Sequence, residues 1–322
     1  MSENADKKCQ LAYYGGSFTA MPAEKQLYYL ETAKIGLENG WISGIRVSTR
    51  PDAINNEIAE MLKKYEVDTV ELGVQSMNEA SLAASKRGHT ARDSINAVNL
   101  LKNAGFTVGV QLMPGLPLDN RNSIIAGAVE ILSQHPDLLR IYPTVVVAGT
   151  ELAKLYSKGE YKPLTLDEAV EISATITVLA SKNGVTVIRT GLNTDDGLEK
   201  NILSGPYHPA FGNLVKGYIW RQKVLYALEQ LFAVKEDWVR ITVYADKSKM
   251  PLIFGQNSCN RQFYQEKSAN SSFKVKSFNS EINGDAEDIV IAGDDSHYIT
   301  IYHNDFVKYY CKKISAEPGN RL

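Results

Sequence analysis

The sequence predicts an α/β fold with parallel strands, barrel-like or doubly wound, followed by a small C-terminal appendage of mixed or mainly β character. Three observations carry this prediction. Short apolar runs alternate with longer amphipathic stretches through the first two-thirds of the chain. Those stretches are long enough to be crossover helices, which makes the strands parallel and the connections right-handed. The unusual clusters, GGSFT, STRPD, GVQSMN and MPGLPLDN, each fall just after a strand, at the end where parallel α/β folds bind ligands.

The elements follow in order. Gln10 to Tyr14 reads as a strand, and a helix runs from about Ala23 to Glu38. Gly44 to Ser48 is the next strand, and after Pro51 comes a helix near Asn55 to Tyr65. Thr69 to Val74 is a short β-branched strand, with helical patterns near Glu79 to Ser85 and Ala91 to Ala104. Phe106 to Leu112 and Leu138 to Pro143 are strands separated by a helix from about Arg121 to Gln134. Beyond Gly149, helical patterns cover Glu151 to Lys158 and Leu166 to Asn183, and Val185 to Arg189 reads as one more strand. The rigid loop Gly205-Pro206-Tyr207-His208-Pro209-Ala210-Phe211-Gly212 leads into a helix ending near Phe232. After Asp237, alternating apolar residues (Val239, Ile241, Val243; Tyr298, Thr300, Tyr302) predict strands. Gln265 to Gly284 is polar and reads as a mobile loop or irregular hairpin. The expected domains are therefore a core at 1–161, an extension completing it at 162–234, and the appendage at 235–322.

Composition bounds the function. A chain of 322 residues buries a full-sized core, and 44% apolar with 22% charged residues is ordinary for a globular protein. A net charge of −2 gives no global attraction to nucleic acid or anionic membrane, while leaving room for a local basic face. No stretch approaches the ~18 to 20 apolar residues of a membrane span. The first residues, MSENADKKCQ, lack the apolar core of a signal peptide, so a cytoplasmic location is expected. Cys9, Cys259 and Cys311 are too scattered for a disulfide framework or a metal site of usual spacing.

The series YGGSFT, STRPD, ELGVQSMN, KRGHT, MPGLPLDN and RIYPTVVVAGTEL, over about Gln10 to Tyr161, resembles the radical S-adenosylmethionine (SAM) superfamily. Within it the chain is similar to the radical SAM domain of the Elongator catalytic subunit and, more distantly, to oxygen-independent coproporphyrinogen oxidase. The resemblance implies an open (β/α)6 partial barrel, here lacking its first strand. By the same resemblance, Gly15, Gly16 and Ser17 match the glycine motif whose backbone receives the SAM amino group. Gln75 matches a glutamine near the ribose, and Arg87 an arginine that pairs with the SAM carboxylate, as a guanidinium fork suits. Ser48 and Gln111 occupy ribose- and methionyl-contacting strand positions where relatives often carry an acid, and both are neutral here.

The residues also have plainer readings. Arg87 could pair on a helix surface with Asp93 or Glu79, and Gln75 could satisfy loop backbone. His89 reads as a structural histidine fixing the RGHT turn, and His208 is not assigned a catalytic role.

The resemblance further implies a [4Fe–4S] cluster on a C-x3-C-x2-C loop, which reduces SAM to a 5′-deoxyadenosyl radical for hydrogen abstraction. The three cysteines do not reproduce that motif, so its ligands are absent from these residues and the chain reads as a truncated family member. Loss of a first strand would expose the edge of Gln10 to Tyr14, predicting reduced stability or self-association. The functional expectation is an Elongator-like radical SAM protein, with SAM as small-molecule partner and tRNA wobble uridine as the substrate implied by the resemblance. No Q/R-x-x-G-x-G/A loop for acetyl-coenzyme A follows Tyr161. The rival expectation is a non-catalytic SAM- or nucleoside-binding scaffold, and a third is an unrelated barrel using phosphate at the GG loop.

Overall fold

The apolar runs form strands and the amphipathic stretches form helices in a computed structural model, which describes residues 9–192, 196–268 and 271–317. The chain divides into two compact units. The first takes Met1–Thr165, Asn183–Thr190 and Thr194–Pro206. The second takes Leu166–Lys182, Gly191–Asn193 and Tyr207–Leu322.

In the first unit, β1 (Gln10–Tyr13), β2 (Gly44–Thr49), β3 (Val67–Gln75), β4 (Thr107–Leu112) and β5 (Leu138–Ile141) lie side by side in sequence order. Between them run α1 (Ala23–Glu38), α2 (Asn56–Lys64), α3 (Glu79–Ala84), α4 (Ala91–Asn103) and α5 (Arg121–Leu132). The antiparallel pair β6 (Val146–Val147) and β8 (Ile202–Ser204), with α6 (Glu151–Ser157) and α8 (Asp196–Lys200), follows. The strand β7 (Thr186–Thr190) pairs with β5 and completes a six-stranded sheet, parallel throughout. This is an α/β half-barrel, the barrel-like one of the two architectures the alternation left open and the one the resemblance implies.

The period of two in each strand sorts the side chains. Ile45, Val47, Val70, Leu72, Val74, Val108, Val110, Leu139 and Ile141 are fully buried, and α2 and α4 pack on this face of β3 and β4. The opposite face carries Gln10, Arg46, Ser48, Glu71, Gln75, Gln111 and Arg140. The hydrophobic core therefore lies between sheet and helices, and the inside of the half-barrel is polar. Helix starts are set by side-chain caps. Thr90 and Asp93 form a capping box on α4, Asn120 and Ser123 one on α5, and Asn55 caps α2.

The second unit contains α7 (Leu166–Lys182), α9 (Phe211–Phe232), α10 (Met250–Phe254), α11 (Cys259–Lys267) and α12 (His303–Ser315). Its four-stranded sheet runs β10 (Ser272–Ser277), β9 (Arg240–Ala245), β11 (Ile289–Gly293), β12 (His297–Ile301). The β9–β10 pair is parallel and the others antiparallel. Several elements of this unit differ from the sequence reading, the short helices α10 and α11 among them. The segment expected to be a mobile loop or irregular hairpin, Gln265 to Gly284, contains the end of α11 and the whole of β10. An edge strand in which exposed Lys274 and Lys276 alternate with half-buried Phe273 and Val275 looks polar when read as a linear string. The helix α12 was not anticipated, although Phe306, Val307, Tyr310, Cys311 and Ile314 are buried at helical spacing.

In the loop after β4, burial pushes the Asp119 carboxyl up to about 6, against hydrogen bonds from Ser81, Asn78, Leu116 and Ser76. A carboxyl raised in the folded state contributes stability that is fully present below its ordinary value and is lost as pH rises through about 6. The melting temperature of Asp119→Asn should therefore gain on that of the parent chain as pH rises from about 4 to about 7. A difference between the two that does not change with pH would contradict this.

Candidate functional site

At the carboxyl ends of β1 to β5 a cavity of about 550 Å³ opens on the polar face of the sheet. Gly15 and Gly16 reach it from the end of β1, Ser48 and Arg50 from β2, Glu71, Gly73 and Gln75 from β3, and Gln111 from β4. The loop after α3 adds Lys86, Arg87 and His89. The structure thus brings together every residue expected at the site except Ser17, which is exposed and precedes a short turn outside the lining.

The glycines are there for conformation. Gly15 has φ 138° and Gly16 φ 71°, and a Cβ on either would meet no protein atom within 4 Å. The left-handed backbone, not crowding, demands glycine, and the space in front of it stays open. Gln75 takes a left-handed φ of 66° where the β3–β4 register shifts, and its Oε1 accepts from Gln111 Nε2 at 3.1 Å. The Ser48 hydroxyl is buried without a partner. His89 is buried, and its Nε2 lies 3.1 Å from the Val74 carbonyl, which fits the structural role expected for it.

Arg87 is the electrostatic centre. Neither acid that could have claimed it does so. Asp93 bonds Thr90, and Glu79 accepts from the Ala91 amide at 2.9 Å. The described contact of the guanidinium is Nη2 with Met113 Sδ at 3.3 Å, while Nε is buried and unpartnered. Burial lowers the Arg87 pKa from its ordinary value, as expected for a cation with no counter-charge.

Three charged residues of the half-barrel interior escaped the sequence reading. Glu71 is paired by Arg46 on one side and by Arg140 on the other, with Arg140 Nε to Oε2 at 2.7 Å and Nη2 to Oε1 at 3.0 Å. All three side chains are at most 16% exposed. Arg140 also donates to the hydroxyls of Tyr142 and Tyr14, both at 3.1 Å. Burial alone would lower the Arg140 guanidinium, but the bonds to Glu71 and Tyr142 outweigh it and leave it raised. A usable signal was present: each of the three stands mid-strand between apolar neighbours, so it must point to a polar interior. Among lining side chains, Arg50, Lys86, Arg87 and Arg140 face a single carboxylate, Glu71. The cavity is locally cationic although the chain carries −2.

Among the described residues no group of three or more His, Cys, Asp or Glu side chains is placed to hold a metal. Cys9 is exposed just before β1, Cys259 is exposed on α11, and Cys311 is buried in α12. No described helix is long and apolar enough to cross a membrane.

A half-barrel of parallel strands with a cationic, glycine-edged cavity over its strand ends defines an α/β protein of the partial-barrel class. The radical SAM superfamily profile matches residues 3–126, and that of the Radical_SAM C-terminal domain matches 136–221. The chain belongs to the radical SAM superfamily. It is 32% identical over 185 residues to the tRNA uridine(34) acetyltransferase of Methanocaldococcus jannaschii, covering 51% of this chain and 34% of that protein. It is 30% identical over 193 residues to Elongator complex protein 3 of Homo sapiens, covering 53% and 35%. The solved archaeal Elp3 of Methanocaldococcus infernus superposes with a TM-score of 0.58 at 28% identity, over 66% of this chain and 54% of that one. The chain thus spans about a third of the length of these two sequence relatives.

Replacing Glu71 by Ala leaves two buried guanidinium groups without their shared counter-charge. The expected loss of unfolding free energy is about 3–5 kcal/mol, read from the urea midpoint, with Glu71→Gln losing less. A loss for Glu71→Ala below about 1 kcal/mol would show that Arg46 and Arg140 find other partners.

Proposed function

We propose that the first unit binds SAM in the strand-end cavity and that the protein serves tRNA modification of the Elongator type. The observation that carries the first part is Arg87, a half-buried guanidinium with an unpartnered Nε and no described carboxylate against it, lining the cavity. In this reading the SAM carboxylate takes the Arg87 fork, and the Gly15-Gly16 backbone receives the amino group. The unpartnered Ser48 hydroxyl and the Gln75–Gln111 pair supply the neutral polar wall for the ribose and methionyl part. The proposed tRNA substrate is supported by the relative from Methanocaldococcus jannaschii, which is named a tRNA uridine(34) acetyltransferase.

The family's cofactor includes a [4Fe–4S] cluster, which supplies the electron that cleaves SAM. The thiols of Cys9, Cys259 and Cys311 do not fit such a cluster, because they are separated in sequence and Cys311 is buried inside a helix. This favours, for residues 1–322, a second reading in which the cavity binds SAM or a nucleoside without reacting it. Stoichiometric iron and sulfide uptake by this chain on anaerobic reconstitution would count against that second reading.

Calorimetry with SAM tests the site itself. Arg87→Ala should weaken binding by about ten- to a hundredfold, the worth of a charge-assisted hydrogen-bonded pair. Decarboxylated SAM should bind the unmodified chain about as weakly, and Arg87→Ala should then cost little more. Equal affinities for the two compounds would remove Arg87 from the carboxylate site.

A further inference from the structure

The second unit has a cavity of its own, of about 450 Å³, walled by α7, α9 and the turn between α10 and α11. We propose that it binds a small molecule through one oxyanion group, a phosphate or a carboxylate, held by Arg221. The volume falls in the range of small-ligand sites.

Arg221 carries the argument. Its guanidinium lies 4.8 Å from the Tyr218 ring and 5.0 Å from the Phe263 ring, so α9 and α11 hold it in place between aromatic faces. No carboxylate among the described residues pairs with it, and its Nε is buried without an acceptor. The terminal nitrogens of Arg221 make no hydrogen bond to a described residue, and an oxyanion in the cavity supplies their acceptors. Arg87 shows the same combination, a cavity-lining arginine with an orphaned Nε, in the first unit.

The surroundings define the ligand further. On the α9 face, Asn213 lies two turns before Arg221, so an amide edges the same cavity. The GPYHPAFG loop, given no role so far, contributes His208, whose Nδ1 accepts from the Ala210 amide at 3.0 Å. The opposite wall is rigid: Asn260 donates to the Gly217 and Ile253 carbonyls at 3.4 and 3.1 Å, and Gly255, at φ 73°, leaves no room for a Cβ beside it. Asp167 and Glu171 line the α7 side, so additional negative charge on a ligand would meet like charge. One oxyanion group, not a polyphosphate, is what this distribution accepts.

Exposed Cys259 on the cavity wall provides a readout independent of any activity. The full chain is alkylated with iodoacetamide, and modification of Cys259 is followed by mass spectrometry with exposed Cys9 as internal reference. Inorganic phosphate, acetate and adenosine monophosphate are the probes, with chloride at matched ionic strength as control. The expected result is saturable slowing at Cys259 alone, about tenfold when the probe is about ten times its Kd. Preference for adenosine monophosphate or phosphate over acetate assigns a phosphate ligand, and the reverse preference a carboxylate. Arg221→Gln should weaken the protection about tenfold or more. Asn213→Asp, at an exposed helix position, should weaken it by placing like charge at the cavity edge without disturbing the fold. The proposal is overturned if no oxyanion protects Cys259, if chloride protects equally, or if protection in folded Arg221→Gln is undiminished.

Discussion

Glu71 between Arg46 and Arg140 is the constraint on which the half-barrel depends. The three residues come from β2, β3 and β5, with partners 25 and 69 positions apart in sequence, and they meet only when the strands align in order. A lone carboxylate at 7% exposure would carry a desolvation cost of several kcal/mol, and two guanidinium groups offset it. Arg46 Nε also donates to Gln10 Oε1 at 2.8 Å, so the network reaches β1 as well. Space for it is made by Gly109, opposite Glu71 in the β3–β4 register, where a Cβ would sit 2.9 Å from Glu71 Cγ. A shifted register would leave these charges unmatched, so the polar interior fixes alignment as firmly as the apolar exterior does.

This explains which parts of the structure were legible in the sequence. The six strands of the parallel sheet and α1 to α6 were read within a residue or two, because each depends on local period and on caps such as Thr90 with Asp93, while the short β6, β8 and α8 were not read. The strand-end clusters were legible because glycine at a positive φ leaves a mark in the string, as at Gly15 and Gly16. The Glu71 triad was not, since nothing local says that a glutamate faces two arginines so far along the chain. The second unit was harder for another reason. Its edge strand β10 is short and lysine-bearing, and the α12 pattern of Phe306, Tyr310 and Ile314 follows directly on a strand, so two periods abut without a turn signal.

Polar groups without partners say more about ligands than polar groups with them. Arg140 spends its donors on Glu71, Tyr142 and Tyr14, and Arg50 on both oxygens of Asp52 and the Gly88 carbonyl. These arginines are part of the scaffold. The triad of one carboxylate and two guanidinium groups nevertheless keeps a net charge of +1, so the interior it stabilises stays attractive to anions.

Arg87 differs from its neighbours in just this respect. Lys86 beside it is exposed, and water screens an ammonium there. Arg87 is half-buried, so each interaction it makes is less screened, and burial lowers its pKa with no counter-charge to offset it. An anion in the cavity is drawn by all four lining cations but finds free guanidinium donors with little competition only at Arg87. The fold therefore separates two tasks that one arginine would perform poorly. Arg46 and Arg140 hold Glu71 and shape the interior, and Arg87, left unsatisfied by the protein, is the group whose energy changes most when a carboxylate arrives.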